Sequence, residues 1–105
     1  MQYITTQDEL EKAVEHMAKH DVLAIDLECE NNLHHYGTYI SLIQVSCKDT
    51  DWILDILALK KIDLFLEILL NPKITKIFHH VSFDLRILHL QFDCRPTNIF
   101  DTQLG

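Results

Sequence analysis

The stretch from Val22 to Glu28, Val-Leu-Ala-Ile-Asp-Leu-Glu, constrains the chain more than any other. An apolar run of this length bounded by polar residues reads as a strand. Side chains alternate along a strand, so Asp26 and Glu28 fall on one face, roughly 6.5–7 Å apart along the backbone. Unpaired charges beside a core are costly, and divalent cations are the simplest compensation for two same-side acids. A third acid, Asp84, lies in the stretch Lys76–Leu88, at the start of a predicted helix that follows another short apolar strand. Acids so placed have the makings of a metal site.

Around these stretches the pattern is that of an α/β domain. Thr6 followed by Glu9 is a capping box, which predicts a helix starting near Gln7. Leu10, Ala13, Val14, Met17 and Ala18 make its apolar stripe, best explained by core packing. Val22–Cys29 is the first strand, and its apolar content on both faces predicts a central, buried position. Glu30–Gly37 reads as a polar loop. Tyr39–Cys47 and Asp51–Ile56 are predicted to pair as a hairpin across Lys48-Asp49-Thr50. Ile62–Leu70 is a helix stopped by Asn71-Pro72, and Ile74–Phe78 a short strand. Ser82 is the expected cap of the next helix, which buries Leu85, Leu88 and Phe92. Asp101 reads as the cap of a further helix.

Composition narrows the function classes. With 105 residues the chain is one domain at most, and 48% hydrophobic with 24% charged residues excludes a disordered segment. No apolar run approaches the ~20 residues of a membrane span, and the N-terminal residues carry no signal-peptide pattern. Cys29, Cys47 and Cys94 are odd in number and form no C-x-x-C pair, which predicts reduced thiols and a cytoplasmic location. The formal net charge of −7 argues against a high-affinity nucleic-acid-binding module, because phosphate contacts come from Lys and Arg.

Four segments taken in order carry a family resemblance. They are Asp26-Leu27-Glu28, the strand Ser41-Leu42-Ile43-Gln44-Val45, His79-His80-Val81-Ser82-Phe83-Asp84-Leu85, and Phe100-Asp101-Thr102-Gln103-Leu104. Together they resemble the first half of a ribonuclease D-type 3′–5′ exonuclease domain of the DEDD superfamily. The resemblance implies a ribonuclease H-like α/β fold: a mixed sheet with a three-stranded antiparallel start, then a parallel strand, with flanking helices. It implies hydrolysis of phosphodiester bonds at the 3′ end of single-stranded RNA or DNA with two divalent cations, Mg²⁺ or Mn²⁺. Such ions activate a water and absorb charge on the leaving oxygen.

The resemblance also assigns roles. Asp26, Glu28 and Asp84 are the implied catalytic metal ligands; His79, His80 and Phe83 stand where the family faces its substrate. Each has a plainer explanation. An acid in the first turn of a helix, like Asp84, is favoured by the helix dipole alone. Phe83 offers either a stacking surface for a base or a core side chain. His34 and His35 read as surface residues, and Asp101 is left outside the catalytic set. The family's fourth acid, and the Tyr or His that precedes it, have no counterpart after Asp84. The expectation is therefore that residues 1–105 are the N-terminal portion of one exonuclease domain. Its missing C-terminal half then becomes an expected partner. The competing expectation is a non-catalytic domain of the same fold that binds nucleic acid or protein.

Overall fold

The computed structural model describes residues 1–31, 38–79 and 81–101. The first helix forms where the capping box lies. The Thr6 hydroxyl accepts from the Glu9 amide and the Glu9 carboxylate accepts from the Thr6 amide at 3.1 Å, starting α1 (Gln7–Met17). Leu10, Ala13 and Met17 of its stripe are buried. Before it, Gln2–Ile4 forms a short strand, β1. After it come β2 (Val22–Asn31), β3 (Thr38–Ser46) and β4 (Asp51–Asp55). A single turn, α2 (Ile56–Leu59), leads into α3 (Asp63–Leu70). Then follow β5 (Thr75–Phe78), α4 (Val81–Phe92) and β6 (Ile99–Asp101).

The strands form one mixed sheet in the order β1-β4-β3-β2-β5-β6. The expected antiparallel start is there, with β2 against β3 and β3 against β4, and β5 runs parallel to β2. Beyond that expectation, β1 adds parallel to β4 and β6 parallel to β5.

Register decides which face is the core. Ile25 lies opposite Val45, and Val45 opposite Trp52; Leu27 lies opposite Ile43, and Ile43 opposite Leu54. Cross-strand partners share a face, so these residues line one side, and all but the half-buried Leu27 are buried. His16 of α1 meets Trp52 edge-on at 5.2 Å, which places α1 over this side, and α3 packs against α1. Lys76 of β5 is fully buried. Its ammonium donates to the Asn71 carbonyl at 2.7 Å, and burial pushes it below the usual lysine range.

The opposite side departs from the sequence expectation. β2 is central in strand order, yet Val22, Ala24, Asp26 and Glu28 are exposed on its other face. Val22, Ala24, Ser46 and Ile77 line an open groove of about 450 Å³ there. Among the described residues no helix covers those side chains. Three boundaries also shift. β2 runs on to Asn31; Ile56 starts α2 instead of ending β4, because the Asp55 carboxylate caps that turn through the Ala58 amide. α4 begins at Val81, so Ser82 sits inside its first turn and not at its cap. The helix expected after Asp101, and most of the Glu30–Gly37 loop with His34 and His35, lie outside the described residues.

Candidate active site

Asp26 and Glu28 stand on the open face of β2, as their spacing requires. Both are exposed, and among the described residues neither carboxylate makes a hydrogen bond or ion pair. Asp26 is opposite Gln44 and Glu28 opposite Leu42. Immediately after Glu28 the pairing slips: Cys29 meets Ile40, so Ser41 is an extra residue on β3. The Ser41 hydroxyl donates to the Glu28 carbonyl at 3.1 Å and holds this bulge in place. Bulges bend a strand and re-aim its side chains, and this one fixes how Glu28 leaves the sheet. On the partner strand, the Ile40 amide donates to the Gln91 side chain of α4 at 2.7 Å, tying that helix to the same end.

The chain brings Asp26 and His79 together. Both line a cleft of about 210 Å³ with Ala24, Ile25, Gln44 and Ser46. His79 is exposed at the end of β5, and β5 pairs with the first half of β2. Asp84 takes a different position. It lies in the first turn of α4 and is 4% exposed. Cys29 reports its neighbourhood: burial, and then the Asp84 charge, push that thiol above its usual range. Phe83 is 51% exposed, so no core among the described residues takes it up. It lines a separate cleft of about 230 Å³ with Arg86, Ile87 and Leu90. His80 lies outside the described residues.

Two features escaped the sequence reading. The bulge at Ser41 leaves no trace in a strand pattern. The second is cationic: the only two arginines of the chain, Arg86 and Arg95, line one groove with Ser82, Leu85, His89 and Pro96. Arg86 is shared with the Phe83 cleft, so aromatic and guanidinium surface adjoin on α4. The signal was present as Arg86 two residues after Asp84, but net charge alone conceals such clustering.

Magnesium and manganese take oxygen ligands and retain waters. Two carboxylates on one face, unengaged among the described residues, with a buried third in the first turn of α4, fit that requirement in donor type. As the side chains stand, Asp26, Glu28 and Asp84 are not within mutual ligand distance. Among the described residues one set of three or more metal-ligating groups is, and it is His16, His20, Cys47 and Asp49.

Comparison with known proteins agrees with the resemblance seen in the motifs. A family model described as 3′–5′ exonuclease matches residues 1–105. The exosome complex exonuclease RRP6 of Saccharomyces cerevisiae is 30% identical over 101 residues, covering 95% of this chain and 14% of the yeast protein. Escherichia coli RNase D, described as an exoribonuclease involved in structured RNA processing, superposes with a TM-score of 0.88 at 29% identity. That match covers 97% of this chain and 27% of the other. Trypanosoma brucei RNase D in complex with RNA U12 gives a TM-score of 0.80 at 25% identity, covering 97% of this chain and 38% of that one. The chain thus spans about a seventh of the yeast relative and about a quarter of the bacterial one. Motif order, sheet topology and these likenesses agree, and the chain belongs to the 3′–5′ exonuclease family of RNase D and RRP6.

Proposed function

We propose that these residues form the N-terminal portion of a domain that removes nucleotides from the 3′ end of single-stranded RNA. Asp26, Glu28 and Asp84 would hold two divalent cations, Mg²⁺ or Mn²⁺. When bound, such ions supply an activated water and charge stabilisation at the phosphate. The observation that carries this reading is the pair of exposed carboxylates on β2, unengaged among the described residues, beside a cleft shared with His79. His79 and His80 would contact the terminal sugar or phosphate. Phe83 would stack on a base, next to Arg86 for a phosphate oxygen. RNA is preferred over DNA because a relative of this fold is described in complex with RNA. Three free thiols support a reducing compartment such as the cytoplasm.

The test uses 3′-labelled single-stranded RNA and a protein carrying the complete domain. Metal-dependent release of mononucleotides is expected, together with its loss in Asp26→Ala. Activity unchanged by that substitution would sink the proposal. The net charge of −7 favours a second reading, a non-catalytic domain of the same fold. Calorimetric titration with Mn²⁺ separates the two: binding that disappears in Asp26→Ala supports catalysis, and identical traces support the second reading.

A further inference from the structure

A second group of ligating side chains lies away from the acids on β2 and has no part in the proposed hydrolysis. His16 lies in the last turn of α1 and His20 just beyond the helix, their rings stacked at 5.3 Å with 16° between planes. Cys47 and Asp49 come from the connection between β3 and β4. All four ligand atoms lie within 4.8 Å of one another. Asp49 Oδ1 is 3.5 Å from His16 Nε2, 3.6 Å from His20 Nε2 and 3.2 Å from Cys47 Sγ. Cys47 Sγ is 3.5 Å from His20 Nε2. Cys47 follows Gln44, the partner of Asp26, by three residues, about 10 Å along the strand.

Two physical arguments separate this group from an ordinary surface hydrogen-bond cluster. The first is geometric. With metal–nitrogen and metal–oxygen bonds near 2.0–2.1 Å and metal–sulfur near 2.3 Å, the edges of a tetrahedron are about 3.3–3.6 Å. Four of the six separations, 3.2–3.6 Å, lie close to those edges, and the remaining two are within 4.8 Å. The second is a matter of capacity. A carboxylate oxygen has about two lone-pair sites. Asp49 Oδ1 alone meets Cys47 Sγ, the Thr50 hydroxyl at 3.2 Å and both imidazole nitrogens. The thiol and the hydroxyl fill its two lone-pair sites, so the imidazole nitrogens at 3.5 and 3.6 Å stand beside it with no hydrogen bond to it, and a cation between the groups would engage them.

We propose that His16, His20, Cys47 and Asp49 bind a single Zn²⁺ ion that clips the end of α1 to the β3–β4 turn. Two imidazoles, one thiolate and one carboxylate suit zinc or its cobalt surrogate, and suit magnesium poorly. The framework is braced for the purpose. The Cys47 amide donates to the Thr50 carbonyl at 2.9 Å and closes the turn; Trp52 holds the His16 ring from behind. The side chains of His16 and Asp49 are 40% and 62% exposed, which leaves the ion a path in from solvent. Binding deprotonates Cys47, whose proton passes to solvent, so affinity rises with pH.

The experiment is titration of the purified, reduced chain with Co²⁺, followed by Zn²⁺. One equivalent of Co²⁺ is expected to give a thiolate-to-cobalt charge-transfer band and tetrahedral d–d absorption, both erased by Zn²⁺. At a hundredfold excess over Kd, Zn²⁺ is expected to raise Tm by on the order of 10 °C. The band and the Tm shift should disappear in Cys47→Ala and in His20→Asn. Two variants are used so that a folding defect in one does not decide the matter. Absence of the band in the wild-type chain overturns the site. So does a band that survives in both variants, which would place the metal on Cys29 or Cys94.

Discussion

Two groups of side chains proposed to hold metal share this small sheet, and they are built by opposite routes. Asp26 and Glu28 sit two residues apart on one strand, with Asp84 arriving from α4. They are hard oxygen donors, and the two on β2 are exposed and not yet converged. His16, His20, Cys47 and Asp49 come from the end of a helix, the residues just after it and a turn, mix nitrogen, sulfur and oxygen, and lie within 4.8 Å of one another. The contrast separates two proposed uses of a metal. Ions that serve chemistry on a phosphate need open positions and ligands that accept a substrate between them. An ion that serves architecture needs a closed, preassembled set.

Substitutions that act on one group and spare the other test this contrast. The largest effect expected is from Asp26→Ala in a protein carrying the complete domain. Loss of groups that merely orient metal ligands costs about 10–100-fold, so loss of a ligand should cost more than about a hundredfold in nuclease rate. The same change should leave the zinc-dependent Tm shift intact, and Cys47→Ala should do the reverse. A single substitution that abolishes both would merge the two groups into one. Next is Trp52→Ala, which removes a side chain 1% exposed that forms the floor under His16. A cost of about 3–5 kcal/mol in urea unfolding is expected, and cobalt binding should weaken with it. Normal cobalt affinity in a destabilised Trp52→Ala chain would show that the site does not depend on that floor.

Smaller effects bear on the supports. Thr6→Ala removes the capping box of the helix that carries His16 and leads into His20, and should cost about 1 kcal/mol. Asp55 touches neither group and serves as the pH control. The Ala58 amide, and then the Tyr3 hydroxyl, hold its carboxyl below the usual carboxylate range. A lowered folded value means stability that is fully present above about pH 4 and lost as pH falls through the folded value. Urea midpoints measured from pH 6 to pH 2.5 should therefore fall less steeply in Asp55→Asn than in the wild-type chain. Equal slopes would mean that the carboxylate contributes nothing to acid sensitivity.

Much of the frame could be read without coordinates, for identifiable reasons. Thr6 and Glu9 announce α1 because a capping box is a local, reciprocal bond. The β3–β4 hairpin is equally local. What escaped was non-local or very short. β1 is three residues long and gains its meaning only by pairing with Trp52–Leu54. β6 is as brief and likewise depends on a neighbour, β5. The exposed face of β2 reads as buried because Val22 and Ala24 are apolar, and a residue pattern does not say what lies above it. For the two ligand groups the lesson is the same. Asp26 and Glu28 are legible because a strand fixes their spacing. His16 and His20 meet Cys47 and Asp49 only after the helix and the turn have docked.

The parallel pairing of β1 with β4 has a consequence in time. During synthesis the first strand emerges long before its partner, so Tyr3 and Ile4 must wait unpaired while β2, β3 and β4 build outward as a meander. The expectation is that the β2–β3–β4 meander forms first and that β1 joins β4 after it. Closing a long loop is slow compared with zipping a hairpin. Truncating Ile4 should thus speed unfolding while scarcely slowing refolding, the signature of a residue that joins after the barrier is crossed.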